Sequence, residues 1–566
     1  MCGIFGLITN QHSKISKNQL LLITKKMFLL SESRGKEASG FVTNSNNNIT
    51  YFKSAESASD MINSKEFYDH FKHNKMPISI LGHSRLVTNG SQELHDNNQP
   101  VYTDDIIGVH NGIITNVEEL WKKHKSFNRQ YEIDTEIIFK LIRFMLSEKA
   151  SIKKSVNFMY DEIIGTASIA TFFRDLNLML FTSNNGSLYF GYNIESNIFV
   201  FCSEEYMLKQ IIKTFQNLKV CSINIINKVL PGQAYYVSLT DLSINNIEKN
   251  LDGFEKLKLT KLKKIKDVTP TSKKSVAQGG SGYYDFVMIN KNSKAVFDAV
   301  FKTRFDNIMK LKRCQKCILP ITFPYIHFDE NNICNYCKKT NFRTKSKNFD
   351  EFKGVVKKYK KNDNSPDCLI PFSGGRDSTY GLYIIKEILG LNPITFTYDW
   401  GMVTNLARRN IARVCGKLGV ENIIVSADIK KKRENIKKNV LAWLRNPDLG
   451  IIPLFMAGDK QFFYYVNKIK KQTGLKLNIW MGNSLEETDF KTAFCNIKPD
   501  LNKERIDKLS FYQKLLLLKY YGVNFFMNKS YFNSGLLDTI WAYHSYYFEP
   551  RKDYFLLFDY LQWDLK

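Results

Sequence analysis

Residues 367–400 read DCLIPFSGGRDSTYGLYIIKEILGLNPITFTYDW. The apolar run from Cys368 is short enough for a buried strand, and Gly374-Gly375 end it. The stretch from Ser378 has helical spacing, and PITFTYDW from Pro393 is a second strand. Beyond it, NLARRNIARVCGKL from Asn405 reads as a helix and ENIIVSAD from Glu421 as a third strand. Strands alternating with helices predict a parallel, doubly wound sheet. Between the first strand and its helix lies Ser373-Gly374-Gly375-Arg376-Asp377-Ser378. Glycines let a backbone fold around an anion, and a helix N-terminus adds free N–H donors and a positive dipole. The order GxxxxGK[ST] is absent, which excludes a Walker A loop.

Upstream, Cys314-x2-Cys317 and Cys334-x2-Cys337 are 16 residues apart. Two such knuckles can present four thiolates tetrahedrally to Zn²⁺. With all four positions filled by protein, the zinc would be structural. Ten cysteines in 566 residues are too few for a disulfide scaffold and suit a reducing compartment. Lys+Arg exceed Asp+Glu by 81 to 55, or +26. That excess suits phosphate-bearing small molecules or a polyanion, and by itself decides neither. No run approaches the ~18 apolar residues of a membrane span. MCGIFGLITN has no basic n-region, so a signal peptide is not expected, and a cytoplasmic protein is.

Residues 1–245 alternate β-rich runs with helical stretches, and Ser183-Asn184-Asn185-Gly186 reads as a hairpin turn. Residues 246–310 form a basic linker with the amphipathic KLKLTKLKKIK (256–266) and the breaker Gln278-Gly279-Gly280-Ser281-Gly282. Residues 311–340 hold the cysteine pairs. Residues 341–566 hold the parallel sheet, closed from Phe511 onward by an aromatic-rich cap.

At the other end of the chain, Cys2 follows the initiator Met. Trimming would leave an α-amine, with a pKa of about 8, beside the thiol as a base for a nucleophile. Around it stand Cys2-Gly3-Ile4-Phe5-Gly6, then Arg34-Gly35-Lys36-Glu37-Ala38-Ser39-Gly40, then Gly82-His83-Ser84-Arg85-Leu86-Val87-Thr88-Asn89-Gly90, then His110-Asn111-Gly112, then Ile133-Asp134-Thr135-Glu136. In this order the pieces resemble class II (N-terminal nucleophile) glutamine amidotransferase domains, the family of glucosamine-6-phosphate synthase and asparagine synthetase. The resemblance covers residues 1–240. It implies an αββα sandwich that hydrolyses L-glutamine, with Cys2 as nucleophile. It makes Asn111 and Gly112 the oxyanion hole. Arg85 would then grip the glutamine α-carboxylate and Asp134 its α-ammonium, with Thr88 also among the glutamine-binding residues. Leu86 and Asn89 depart from the Trp and His of glucosamine-6-phosphate synthase.

SGGxDS between strand and helix resembles the PP-loop of ATP pyrophosphatases. This implies ATP and Mg²⁺, with Ser373, Gly374, Gly375 and Ser378 on pyrophosphate, Asp377 acting through Mg²⁺ or on the loop, and Asp399 near the nucleotide. With the cysteine pairs, and with GIIPL, GDKQFF, GNSLE and FKT further on (450–492), residues 311–566 resemble the N-acetyl sugar amidotransferase family of lipopolysaccharide and nonulosonic acid biosynthesis. Its members are understood to turn an acetamido sugar or sugar nucleotide into an acetamidino one. Glu486 and Lys491 are candidates for sugar or phosphate contacts. The expected fold is thus α/β and α+β multidomain. The expected enzyme is a glutamine- and ATP-dependent amidotransferase forming AMP and pyrophosphate, with an internal ammonia passage. A homo-oligomer is compatible with it, and neither a membrane nor a nucleic acid is expected as a partner. The competing readings are asparagine-synthetase-like amidation of a carboxylate and PP-loop modification of tRNA.

Overall fold

The computed structural model describes residues 2–45, 48–73, 76–87, 90–247, 260–270, 298, 305–323, 326–339, 347–401, 403–426, 461–482, 555–559 and 563–564. Thr88, Glu486, Lys491, Cys495, the breaker at 278–282 and nearly all of the stretch from Phe511 lie outside them.

Two sheets stack face to face in the N-terminal half. The first has eight strands in the order β11 (Asn227–Lys228), β9 (Tyr189–Asn193), β10 (Ile198–Cys202), β1 (Gly3–Thr9), β4 (Ser79–Arg85), β2 (Ala38–Asn44), β3 (Asn48–Ser54) and β14 (Lys264–Asp267). All neighbours in it are antiparallel except β14, which runs parallel to β3. The second has six antiparallel strands in the order β13 (Ile244–Asn246), β12 (Ala234–Ser238), β8 (Leu178–Ser183), β7 (Gly165–Phe173), β6 (Ile106–Ile114) and β5 (Val101–Thr103).

Period-2 alternation builds the layers. On β7, Ala170 and Phe172 point into the gap between the sheets, with Ile4, Ile8, Val42, Leu81, Phe181 and Phe201. From the same strand Ala167, Ile169 and Phe173 face helices α3 (Thr135–Ser147) and α4 (Ile152–Glu162). The first sheet's outer face is covered by α1 (Lys17–Ser31), α2 (Lys65–His73) and α5 (Glu205–Asn217), through Phe28, Phe67 and Phe215 among others. The result is the four-layer αββα sandwich. A capping box at Ser16 and Gln19 starts α1, as expected for a helix whose first N–H groups need acceptors.

Two expectations change. Ser183-Asn184-Asn185-Gly186 does not close a hairpin, because β8 and β9 belong to different sheets. The Ser183 hydroxyl instead accepts the Gly186 and Ser187 N–H groups, and this turn carries the chain from one sheet to the other. Turn chemistry is the same for both connections, so composition alone does not separate them. Residues 260–270 are also built into the sandwich rather than hanging as connector. Thr260 and Lys263 donate backbone N–H groups to Asp175 and Arg174, and Lys263 Nζ reaches Asn44 and Asn177.

In the C-terminal half, beyond the two-residue strand β15 (Lys347–Asn348), β18 (Glu421–Ser426), β17 (Pro393–Asp399), β16 (Cys368–Pro371), β19 (Leu477–Gly482) and β20 (Phe555–Asp559) form a sheet in that order, all parallel. The predicted strand–helix alternation is met by α6 (Arg376–Tyr383) after β16 and α7 (Asn405–Leu418) after β17. α7 begins at Thr404, whose side chain accepts the Ala407 N–H, and ends at left-handed Gly419 (φ 58°). The chain moves outward one way from β16 to β18, then returns to place β19 on the other side of β16. Open α/β sheets bind ligands at such a reversal, beyond the carboxyl ends of the strands.

The halves meet along α7. At Gly416 a Cβ would lie 2.2 Å from the Gly165 carbonyl oxygen at the start of β7, so only glycine allows this approach. Tyr189 donates its hydroxyl to Glu421 at 2.5 Å, and Lys228 pairs with the same carboxylate at 3.1 Å. Leu86 packs on Ile424.

Candidate active site

β1, β4, β6 and the start of α3 converge at one end of the sandwich. Cys2 precedes β1 and is buried, and its thiol reaches the Leu86 carbonyl at 3.6 Å. Burial pushes this thiol above its ordinary range, while the Arg85 guanidinium pulls the other way. Asp134 acts on it in the raising direction, which places both of the predicted glutamine-binding charges within electrostatic reach of the sulfur.

Arg85 ends β4, 4% exposed. Its NH1 donates to Asn98 Oδ1 at 2.7 Å and its NH2 to the Gly90 carbonyl at 3.0 Å. Asp134 sits just before α3, where its Oδ2 accepts the Ile114 N–H at 2.9 Å. His110 Nδ1 lies 3.8 Å from Asp134 Oδ1 and 3.2 Å from Thr135 Oγ1. Gln99 grips the His110 peptide at both ends, accepting its N–H at 2.6 Å and donating to its carbonyl at 3.0 Å.

Asn111 is fully buried, and among the described residues neither its Oδ1 nor its Nδ2 has a hydrogen-bond partner. An unsatisfied buried amide costs roughly 1–3 kcal/mol, so its retention marks a group prepared for a ligand. At Gly112 a Cβ would fall 1.9 Å from the Thr166 carbonyl oxygen, so no other residue fits. His83 is also buried, and burial, helped by Arg85, holds it well below its ordinary range and neutral. The structure thus brings Cys2, Arg85, Asn111, Gly112 and Asp134 to one end of the sandwich. Thr88 lies outside the described residues.

Residues 83–210 match a family model described as a glutamine amidotransferase domain. The chain carries a class II glutamine amidotransferase domain. Among curated relatives of this domain, glutamine–fructose-6-phosphate aminotransferase of Encephalitozoon cuniculi is 29% identical over 169 residues, 28% of this chain and 24% of that protein. The Bartonella quintana enzyme of the same name is 29% identical over 198 residues, 34% of this chain and 30% of its own. The chain therefore spans less than a third of these relatives' length. A solved glutamine phosphoribosylpyrophosphate amidotransferase from B. subtilis overlaps 43% of this chain and 48% of its own, at 19% identity and a TM-score of 0.33.

Outside the amidotransferase domain, the glycine loop leaves β16 at the reversal of the parallel sheet. Gly374 has φ +73°, and a Cβ there would meet Ile411 Cγ1 at 2.9 Å and the Ala407 carbonyl oxygen at 3.0 Å. The Ser373 hydroxyl accepts the Gly375 N–H at 3.3 Å and lies 3.1 Å from Ser378 Oγ. Gly375 caps α6 with no side chain of its own, which leaves the first-turn N–H groups facing the loop. Asp377 is half-buried on that first turn. Asp399 ends β17, 1% exposed, and both its oxygens are engaged: Oδ1 accepts the Gly401 N–H, and Oδ2 accepts Arg408 Nε at 2.9 Å and NH2 at 2.8 Å.

The sulfurs of Cys314, Cys317, Cys334 and Cys337 all lie within 4.8 Å of one another. Cys314 and Cys337 are 3.9 Å apart, and Cys317 and Cys334 are 3.5 Å apart. A disulfide needs about 2.05 Å, whereas tetrahedral Zn–S bonds of about 2.3 Å give sulfur–sulfur edges near 3.8 Å. Cys314 Sγ also accepts the Lys316 and Cys334 N–H groups, the usual support of a thiolate ligand. The donor set fits zinc.

Sequence reasoning did not select Asn98, Gln99, Glu37 or Arg408. Glu37 lies inside the quoted RGKEASG loop, where a carboxylate among small residues was a usable signal. Asn98 and Gln99 carry none, because their partners are backbone atoms, Arg85 and Thr135 brought close only by folding.

Proposed function

We propose that this chain is a glutamine-hydrolysing, ATP-dependent amidotransferase that converts an acetamido sugar, or its nucleotide-linked form, to the acetamidino sugar. Cys2 attacks the glutamine side-chain carbonyl, with the α-amine left by Met1 removal as its base. The Asn111 Nδ2 and Gly112 N–H groups take the developing oxyanion. Arg85 and Asp134 hold the α-carboxylate and α-ammonium. Glutamate and ammonia leave. In the C-terminal half the acetamide oxygen attacks the α-phosphorus of ATP and pyrophosphate departs into the Ser373–Ser378 loop. Ammonia then adds to the activated carbon and AMP leaves with the oxygen. Mg²⁺, held through Asp377, would neutralise the departing phosphates. Zinc on the four cysteines would brace residues 311–340. Only neutral ammonia is nucleophilic, which favours delivery through a dry interior.

The observation that carries this reading is the glycine loop at the reversal of a parallel sheet, touched by α7, the helix that also packs on the amidotransferase domain. A sugar acceptor rests on the sequence resemblance of residues 311–566. The test compares the natural chain with Cys2→Ala in MgATP and a panel of acetamido sugars, with product masses read by mass spectrometry. The variant should lose product formation from glutamine and keep it with ammonium salts. Loss of both in a folded variant rejects the relay, and a primary amide in place of an amidine rejects the sugar acetamide as acceptor.

A further inference from the structure

α7 touches the glycine loop and the 85–87 segment with adjacent residues. Ala407 and Ile411 lie against Gly374 of the glycine loop. Arg408 lies between them in the sequence. Its Nε and NH2 hold Asp399 at the end of β17, and its NH1 donates to the Val87 carbonyl at 3.2 Å. The Val87 peptide is gripped from its other side as well, because its N–H donates to Glu37 Oε2 at 2.5 Å. One residue earlier, the Leu86 carbonyl receives the Cys2 thiol, and the Leu86 side chain packs on Ile424 of β18. One residue earlier again stands Arg85, whose carbonyl accepts the Glu37 N–H at 3.2 Å. Three consecutive residues beside the nucleophile are therefore held by groups from the C-terminal half or by Glu37.

Arg408 and Asp399 are both largely buried, with side chains 11% and 1% exposed. A guanidinium fork committed to a carboxylate and a carbonyl at once has little freedom, and a single ammonium cannot reproduce it. Any shift of α7 or of the β17 end is passed to Val87, and any shift of Val87 is passed back. Glutamine would bind through Arg85, and a nucleotide would seat against the loop that Ala407 and Ile411 support.

We propose that Arg408 is a positioning residue that ties the glycine-loop side of α7 to the 85–87 segment, so that glutamine and MgATP bind with linked free energies. The proposal rests on the nucleotide reading of the glycine loop. Linkage of this kind is reciprocal and runs to roughly 5–150-fold in affinity.

The test is equilibrium dialysis of MgATP on the full chain carrying Cys2→Ala, which cannot turn glutamine over, with and without saturating glutamine. The expected result is a change of about 5-fold or more in the MgATP dissociation constant, and a ratio near 1 when Arg408→Lys is added. Lys keeps a charge for Asp399 and cannot also span to Val87. Leu86→Ala, which alters no charge, is the second variant, and it should reduce the ratio toward 1. A ratio of 1 in the parent that binds MgATP, or the parent's ratio retained in both variants, overturns the proposal. A parent that binds no MgATP overturns the nucleotide reading, and this inference with it.

Discussion

Asn111 is the residue whose chemistry is least ambiguous. Its amide is buried, has no partner among the described residues, and stands one residue from a glycine that a Thr166 carbonyl forbids to be anything else. A protein that keeps such a group desolvated forgoes roughly 1–3 kcal/mol of stability at that position. Asn111→Ala should therefore leave the fold at least as stable, by thermal melting. It should lower the glutaminase kcat by about 10²–10³-fold, the usual loss of one oxyanion donor, in a glutamate-release assay. A kcat unchanged within 2-fold would remove Asn111 from the oxyanion role. Arg85 and Asp134 were marked in the sequence by the resemblance to class II glutamine amidotransferase domains that the five short pieces carry together. Their orientation was not readable: Asn98, Gly90 and the Ile114 N–H are brought to them only by the stacking of two sheets.

At the scale of elements, the strand–loop–helix pieces of the parallel sheet and the strands of the sandwich follow from local periodicity, which is why they were legible. What was not legible is which sheet a strand joins. The 183–186 turn reads as a hairpin from composition, yet the chain crosses to the other sheet there, because Ser183 and Asn185 satisfy the turn's N–H groups internally and leave the following strand free to pair elsewhere. The cysteine element shows the opposite case, where spacing alone anticipated four sulfurs within 4.8 Å. Purified chain should contain about one zinc per molecule by elemental analysis. Removal by a chelator, or Cys334→Ser, should expose residues 311–339 to protease before the sandwich. Full metal retention in Cys334→Ser would exclude the four-sulfur site.

At the scale of the whole molecule, α7 joins the halves beside the β18 contacts of Glu421 and Ile424, and the closeness of its approach is set by two glycines. Gly416→Val would place side-chain carbons into the Gly165 carbonyl, where even a Cβ falls at 2.2 Å. The expected outcome is a chain in which glutamine hydrolysis and MgATP binding persist separately, while calorimetry resolves two unfolding transitions in place of one. A single cooperative transition at the parental temperature would show that the halves hold together without α7. The interface was invisible to sequence reasoning because Gly165, Tyr189, Lys228, Gly416 and Glu421 are scattered over more than 250 residues and carry no local motif.

The parallel pairing of Lys264–Asp267 with Asn48–Tyr51 bears on how this protein can be cut. A fragment ending at residue 245 would leave the outer row of amide and carbonyl groups on the Asn48–Ser54 strand bare, an invitation to self-association. One ending after Pro270 would keep that row covered, so the excised glutaminase should stay monodisperse only in the longer form.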